Sequence, residues 1–119
     1  MKMLDQRRVL IVEDEPCIAL DIKLSVEGAG GQVAGVAARL SQALDMAGTL
    51  DFDVALLDYN LGDEDTSAVA DVLKARGIAT VFYTGRGKVS DLNLRWPQAK
   101  VLVKPTMNML ILKSLAAAA

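Results

Sequence analysis

Apolar residues along the chain fall into short runs separated by segments with a different spacing. Five runs are rich in β-branched residues and flanked by turn residues, which predicts strands at residues 9–12, 32–37, 54–57, 79–83 and 101–103. Several of these runs are continuously apolar rather than alternating, as is typical of strands whose two faces are both covered. The pattern therefore predicts a sheet that lies between two other layers.

The segment after the first strand has the spacing of a helix. Pro16 lies in its first turn, where the missing backbone N–H would have no helical partner in any case. The apolar stripe of this helix is expected to include Cys17, Leu20 and Leu24. Glycines within residues 28–31 end it.

Three more helices are bounded by residues that commonly begin or end them. Ser41 precedes or opens the second helix, which stops at Gly48. Asp65 is a good N-cap for the third, and Gly77 closes it. The last helix begins near Asn108 and continues into the alanines that follow.

The segment at residues 88–96 is a weaker helix. Val89, Leu92 and Trp96 have roughly helical spacing, but the polar residues between them are poor helix formers. Pro97 ends the segment. We expect this fourth helix to be short and marginal.

Strands that alternate with helices predict a parallel sheet with right-handed crossovers and helices on both faces. No internal repeat or linker interrupts the alternation. The expected fold is α/β and doubly wound, with residues 1–119 forming a single domain.

Composition narrows the class of protein. With 52% hydrophobic and 24% charged residues, the chain has the composition of a globular protein. Its apolar runs are too short to cross a bilayer, and residues 1–8 are not followed by the apolar stretch of a signal peptide. The single cysteine suits a reducing compartment, and we expect Cys17 and the methionines to fill the core. A net charge of −2 offers no basic face to nucleic acid. We therefore expect a cytoplasmic protein that binds neither nucleic acid nor membrane.

The chain contains no histidine. This excludes a Ser–His–Asp triad, a histidine-ligated zinc site and a phosphohistidine formed on the chain itself.

Reactive polar residues follow four of the five predicted strands. They are Glu13, Asp14 and Glu15 after the first, Asp58 after the third, Thr84 after the fourth and Lys104 after the fifth. Ligands of an open parallel sheet bind outside the carboxyl ends of its strands. If strands one, three, four and five are neighbours, these side chains meet in one crevice. The second strand ends without an acid, which suits an edge position.

This set of groups suits a magnesium site with a carboxylate nucleophile. Crowded carboxylates cannot all stay ionised without a cation, and hard oxygen ligands select Mg²⁺. An ordinary Asp pKa of about 3.9 leaves Asp58 ionised at pH 7, so it needs no general base. The metal and Lys104 would neutralise charge on a transferred phosphoryl group, and Thr84 would donate a hydrogen bond to it. Because the chain has no histidine, the phosphoryl donor would be another molecule.

Each of these groups also has an ordinary structural explanation. The acids before Pro16 suit a helix start favoured by the helix dipole. Asp58 and Thr84 suit turns, and Lys104 suits a solvated loop. The combination is harder to explain in this way, because suitable groups occupy the ends of four strands.

Four segments resemble the signature of response-regulator receiver domains, in the same order and at the same spacing. They are Val12-Glu13-Asp14-Glu15-Pro16, Leu56-Leu57-Asp58-Tyr59-Asn60-Leu61, Tyr83-Thr84-Gly85 and Val103-Lys104-Pro105. The resemblance covers essentially the whole chain, and it implies a flavodoxin-like five-stranded sheet of order 2-1-3-4-5. It also implies a phosphoacceptor in a bacterial two-component system. Such a domain receives its phosphoryl group from a sensor histidine kinase or a histidine phosphotransfer protein and then changes its binding to a downstream protein. It is not otherwise an enzyme.

The resemblance also implies residue roles. Asp58 would be the phosphoacceptor, and Asp14 would bind Mg²⁺ directly. Glu13 would act through a metal-bound water, and the backbone carbonyl of Asn60 would be a further ligand. Thr84 and Lys104 would contact the phosphoryl oxygens, and the Lys104–Pro105 peptide bond would be cis.

The chain departs from the family pattern at two places. Leu61-Gly62 replaces the common Met-Pro after the acceptor segment, and Val101 stands where an aromatic switch residue is usual. With the weak fourth helix, these departures resemble an atypical group of receivers that are often stand-alone or attached to hybrid kinases. We therefore expect Thr84 and the segment after it to carry the signal.

Two alternatives belong to other functional classes. A magnesium-dependent phosphatase of the haloacid-dehalogenase type is suggested by Asp51-Phe52-Asp53, but that family has these acids after a strand rather than before one. A degenerate receiver would bind partners without being phosphorylated. Such a domain normally lacks an acid, the acceptor or the lysine, and this chain has all of them.

Overall fold

Five parallel strands alternate with five helices in the computed structural model, which describes residues 2–119 and, for Arg86, the backbone alone. Met1, where the predicted single domain begins, lies outside the described residues. The sheet strands are β1 (Arg8–Val12), β2 (Gln32–Ala37), β3 (Val54–Asp58), β4 (Ala79–Thr84) and β5 (Lys100–Val103). The helices are α1 (Pro16–Gly28), α2 (Leu40–Thr49), α3 (Ser67–Arg76), α4 (Val89–Arg95) and α5 (Asn108–Ala118).

The sheet has the predicted order β2-β1-β3-β4-β5, and all its neighbouring strands are parallel. Strand β2 is an edge strand, as its lack of a terminal acid suggested. In the register of β3 and β4, Asp58 lies beside Tyr83. Because all the strands are parallel, the carboxyl ends of β1, β3, β4 and β5 lie side by side at the same end of the sheet, as predicted.

Both faces of the sheet are covered. Val9 and Ile11 of β1 pack in one apolar cluster with residues of α1 and α5. Leu10 and Val12 pack in the other, with residues of α2, α3 and α4. All four side chains are buried, which explains why the run is continuously apolar.

The predicted apolar stripe of α1 was wrong. The helix buries Ala19, Ile22 and Val26, while Leu20 and Leu24 are 55% and 58% exposed. Both sets of residues have helical spacing, and α1 is apolar around most of its circumference. Hydrophobicity alone therefore did not identify the buried face.

The expectation that Cys17 and the methionines fill the core was also largely wrong. Cys17 is exposed near the start of α1. Met3, Met107 and Met109 are exposed as well. Only Met46, in α2, packs against an apolar cluster among the methionines that the structure describes.

The start of α3 lies one residue later than predicted. Thr66, not Asp65, occupies the N-cap position, and Asp65 belongs to a short antiparallel pair, Asn60–Leu61 with Glu64–Asp65. We call this pair the 60–65 hairpin; the sequence analysis did not predict it. The Asp65 carboxylate still accepts the backbone N–H of Ser67, at 3.0 Å. Gly77 closes the helix with φ = 72°, as predicted.

The fourth helix is short, as expected. A 3₁₀ turn, Arg86–Lys88, leads directly into the seven residues of α4. Leu92 and Trp96 anchor this segment to the core, while Leu94 is exposed.

Candidate functional site

Three carboxylates meet where β1 and β3 end. Glu13 and Asp14 follow β1, Asp58 ends β3, and these two strands are neighbours in the sheet. Each of the three residues has a carboxylate oxygen within 4.8 Å of the others. Glu13 and Asp58 are only 3% and 6% exposed, whereas Asp14 is exposed. Water therefore screens little of the repulsion between the two buried acids.

Lys104 brings a positive charge into this cluster from the end of β5. Its Nζ lies 2.8 Å from Asp58 Oδ2 and 3.4 Å from Glu13 Oε1. The same ammonium lies 5.1 Å from the centroid of the Tyr83 ring. The Lys104 backbone N–H donates to the Thr84 carbonyl at 2.8 Å, and the Lys104–Pro105 bond is cis, as predicted.

Burial and charge shift the pKa of two groups in the cluster. Burial, helped by the hydrogen bond and charge of Asp58, raises the pKa of Glu13 from 4.5 to about 7, although Lys104 opposes the shift. Burial alone would lower the pKa of Lys104, but its hydrogen bond to Asp58 and the charges of both acids raise it overall. The lysine stays protonated, so the cluster has one cation for three carboxylates. Such a cluster favours a further cation or a proton.

Thr84 completes the row of predicted residues at the end of β4, the strand next to β3. It is 1% exposed, and its Oγ1 has no hydrogen-bond partner among the described atoms, which leave out the side chain of Arg86. A buried hydroxyl without a partner is unusual and costs free energy. An oxygen of a ligand bound among these residues would satisfy it.

The 60–65 hairpin borders the acid cluster. The Asn60 backbone N–H donates to Asp58 Oδ1 at 3.2 Å. At the tip of the hairpin, the Gly62 N–H donates to Asp14 Oδ2, also at 3.2 Å. The hairpin therefore orients two of the three carboxylates.

A sequence profile of the family described as "Response regulator receiver domain" matches residues 9–116. The chain belongs to this family.

A curated relative of this receiver is the phyllosphere-induced regulator PhyR of Methylorubrum extorquens. The two are 38% identical over an alignment of 82 residues, and the match covers 64% of the receiver and 30% of PhyR. The receiver thus spans less than a third of that relative.

Solved structures confirm the receiver fold. The solution structure of SdrG from Sphingomonas melonis Fr1 is 36% identical, with a TM-score of 0.79 over 99% of the receiver and 98% of SdrG. The crystal structure of PhyR from Brucella abortus is 26% identical, with a TM-score of 0.81 over 98% of the receiver and 49% of PhyR. Among residues 2–119 of the receiver, none of the helices combines the length and apolar character needed to cross a bilayer.

The structure explains why Leu61-Gly62 replaces the common Met-Pro. A proline at position 62 would have no N–H to donate to Asp14. Gly62 also has φ = 66°, a conformation that favours glycine and that proline cannot adopt. The departure was visible in the sequence, but its contact with Asp14 was not.

The Val101 departure leaves the receiver with a different arrangement of aromatic residues. Val101 is half-buried against the cluster shared by α2, α3 and α4. On the same face the Tyr59 and Phe82 ring centroids are 6.3 Å apart, and those of Phe82 and Trp96 are 5.3 Å apart. This row runs from the residue after Asp58 to the end of α4.

Thr66 contacts the backbone of Asp58, which the sequence did not predict. Its hydroxyl donates to the backbone carbonyl of Asp58 at 2.9 Å. A threonine just before a helix is ordinarily read as an N-cap, so no local pattern indicated this bond.

The acids that suggested a phosphatase precede β3, so they lie at the amino-terminal ends of the strands, away from Asp58. The Asp53 carboxylate accepts the backbone N–H of Arg8 at 2.8 Å, and Asp51 lies 3.7 Å from the Arg8 guanidinium. Neither acid belongs to the cluster around Asp58. The geometry does not support the phosphatase alternative.

Proposed function

We propose that this receiver accepts a phosphoryl group on Asp58 and thereby changes its binding to a downstream protein. The observation that carries the proposal is the contact of 2.8 Å between Lys104 Nζ and Asp58 Oδ2, inside a cluster with Glu13 and Asp14. This arrangement combines a buried carboxylate nucleophile with a cation next to the position where negative charge would accumulate.

The carboxylates fit a magnesium ion. Glu13, Asp14 and Asp58 supply hard oxygen ligands. Burial first, and then the hydrogen bond and charge of Asp58, raise the pKa of Glu13, and Lys104 offsets only part of this shift. Asp14 and Asp58 would hold the ion with the backbone carbonyl of Asn60, and Glu13 would contact it through water. When bound, Mg²⁺ supplies charge neutralisation for the phosphoryl oxygens.

The positions of these side chains support the following transfer step. An Asp58 carboxylate oxygen attacks phosphorus and forms a new O–P bond. The P–N bond of a phosphohistidine, or the P–O bond of acetyl phosphate, breaks and its electron pair leaves with the imidazole or acetate. Lys104 then moves from the carboxylate to the phosphoryl oxygens, and the unpaired hydroxyl of Thr84 donates a hydrogen bond to one of them.

The donor that we propose is a sensor histidine kinase or a histidine phosphotransfer protein, because the chain has no histidine of its own. We further propose that residues 1–119 form one receiver domain that acts in the cytoplasm. The degenerate alternative is not favoured, since the acids, the acceptor and the lysine are all present in one cluster.

A small phosphodonor tests the proposal. Acetyl phosphate or phosphoramidate with Mg²⁺ should add one phosphoryl group, detected by intact-mass spectrometry, and Asp58→Asn should abolish the addition. The matched control is Asp51→Asn, which removes an exposed acid at the amino-terminal end of β3 and should leave labelling unchanged. Labelling of Asp58→Asn at the wild-type rate would refute the assignment of the acceptor. No labelling of the wild-type protein would favour the degenerate receiver.

A further inference from the structure

Thr66 makes an unusual set of contacts behind the proposed acceptor. The residue is 0% exposed and lies between the 60–65 hairpin and α3. Its Oγ1 lies 2.9 Å from the Asp58 carbonyl oxygen and 3.2 Å from that of Tyr59. Its backbone N–H also donates to the Tyr59 carbonyl, at 2.8 Å. A single hydroxyl proton is thus shared between the carbonyls of two consecutive residues, one of them Asp58.

The position of Thr66 makes these contacts informative. A threonine at an N-cap normally accepts a hydrogen bond from the first turn of its helix. Thr66 caps α3 with no side-chain hydrogen bond, and the neighbouring Asp65 carboxylate accepts the Ser67 N–H instead. The hydroxyl is therefore directed to the acceptor strand rather than to the helix that it precedes.

Three hydrogen bonds described above involve Asp58: those from Lys104, from the Asn60 N–H and from Thr66. Phosphoryl transfer would break or exchange some of these bonds and leave others in place. Oδ2 contacts Lys104 and Oδ1 accepts the Asn60 N–H. Both carboxylate oxygens must exchange partners when one of them bonds to phosphorus and the other to a cation. The bond from Thr66 to the Asp58 carbonyl lies outside this exchange and can persist throughout.

We infer that Thr66 is a positioning residue for phosphoryl transfer: its hydroxyl fixes the backbone of Asp58 and Tyr59, and so fixes the direction from which the Asp58 carboxylate meets the phosphorus. The inference rests on the proposed function, since it assigns a role in the same reaction. Removing the hydroxyl takes a donor from the Asp58 carbonyl, leaves the Tyr59 carbonyl with the Thr66 backbone N–H, and lets the end of the acceptor strand shift. Displacing a reacting group by about 1 Å can slow a reaction by about 100-fold.

The test compares Thr66→Val with Thr66→Ser. Valine keeps the branched shape and removes only the hydroxyl, whereas serine keeps the hydroxyl. Labelling by acetyl phosphate with saturating Mg²⁺ is followed by intact mass at a temperature where circular dichroism shows every variant folded. We expect labelling of Thr66→Val to slow by about 10- to 100-fold, and that of Thr66→Ser to stay within about threefold of wild type.

A stability control separates positioning from a general loss of packing. Val69→Ala opens a cavity in the buried face of α3, one turn after Thr66, and makes no change at the acceptor. It should lower the melting temperature yet label at the wild-type rate. If Thr66→Val does not fold, the pair Thr66→Ala and Thr66→Ser replaces it, because both lose the methyl group and only alanine loses the hydroxyl.

The outcomes are distinguishable from failure of the proposed function. Absence of labelling in the wild-type protein would remove the proposed function itself. Normal labelling of the wild type together with equal rates for Thr66→Val and Thr66→Ser would overturn the role of Thr66 alone. Slowing of Val69→Ala by the same factor as Thr66→Val would also overturn it, because the effect would then follow stability.

Discussion

Two parts of the candidate site differ in whether their polar groups have partners. We call them the acid side, formed by Glu13, Asp14, Asp58 and Lys104, and the Thr84 side. On the acid side, Asp58 contacts Lys104 and the Asn60 N–H, and Asp14 accepts the Gly62 N–H. On the other side, Thr84 is buried and its hydroxyl has no partner in the part of the chain that the structure describes. If Asp58 is the phosphoacceptor as proposed, the acid side is arranged before a phosphodonor arrives, which would reduce the reorganisation that the transfer requires. The Thr84 side has an unmet hydrogen bond that a phosphoryl oxygen would satisfy.

The segments that support the two sides differ in how deeply they are buried. The acid side rests on the buried strands β1 and β3 and on the fully buried Thr66. Thr84 leads into Gly85, the 3₁₀ turn and the seven-residue α4, which Leu92 and Trp96 anchor. Few buried contacts and a short helix indicate low local stability. We propose that the acid side performs the phosphoryl transfer and that the segment after Thr84 responds to it.

The largest expected effect concerns the metal. Asp14→Ala should abolish the increase in melting temperature that we expect from Mg²⁺, because it removes the proposed direct ligand. The same variant should slightly stabilise the metal-free protein, because one of three crowded like charges is gone. Thermal unfolding with and without Mg²⁺ measures both effects. Asp71→Ala, which removes an exposed acid on α3, should keep the wild-type response. If Asp14→Ala is stabilised by Mg²⁺ as much as the wild type, the acid side has been assigned wrongly.

An intermediate effect concerns pH. The folded-state pKa of Glu13 is about 7, raised from 4.5, so the native protein binds this proton more tightly than the unfolded chain does. The stabilisation is fully present below pH 4.5 and is lost as the pH rises to 7. Its full size is on the order of 3 kcal/mol.

Glu13→Gln isolates this contribution, because glutamine keeps the shape and does not titrate. Between pH 5 and pH 7, the free energy of unfolding of metal-free wild type should fall relative to that of Glu13→Gln. Saturating Mg²⁺ should reduce the difference, because the cation replaces the proton. Denaturant unfolding at several pH values measures it, and parallel curves for the two proteins would contradict the pKa shift.

The smallest effect on the chemistry is expected at Thr84. Thr84→Ala should still accept a phosphoryl group from acetyl phosphate at a rate within about tenfold of wild type, because a single neutral hydrogen bond is worth about 1 kcal/mol. The variant should nevertheless respond weakly in residues 85–97, since the bond that links them to the phosphoryl group is missing. Labelling rates compared with spectral changes on phosphorylation would separate the two functions. A variant that fails to be labelled would place Thr84 in the chemistry instead.

The sequence predicted the sheet well because strand residues buried on both faces leave a continuous apolar run, as in β1 and β3. It also placed Glu13, Asp58, Thr84 and Lys104 at strand ends that parallel topology must bring to one edge. It predicted the buried face of α1 wrongly, because Leu20 and Leu24 are as apolar as the residues that the helix buries. Periodicity identifies a helix but does not orient one that is apolar on most sides.

The contacts of the 60–65 hairpin and Thr66 were beyond sequence reasoning. The hairpin has two residues in each strand, too few to show an alternating pattern. The bond from Gly62 to Asp14 joins residues 48 positions apart through a backbone N–H, which every residue except proline has. Thr66 has the residue type and position of an N-cap, so its bond to Asp58 depends on tertiary structure alone.

Hydrogen exchange with a phosphoryl mimic tests most directly whether phosphoryl transfer and the conformational response to it lie on different sides of the candidate site. Backbone amide exchange is measured on the receiver with Mg²⁺, with and without beryllofluoride, which mimics a phosphoryl group on a carboxylate. The account predicts that protection changes across residues 85–97 and that Thr84→Ala reduces this change. It predicts smaller changes in β1 and β3. Unchanged protection across residues 85–97, with changes confined to another face of the domain, would contradict the account.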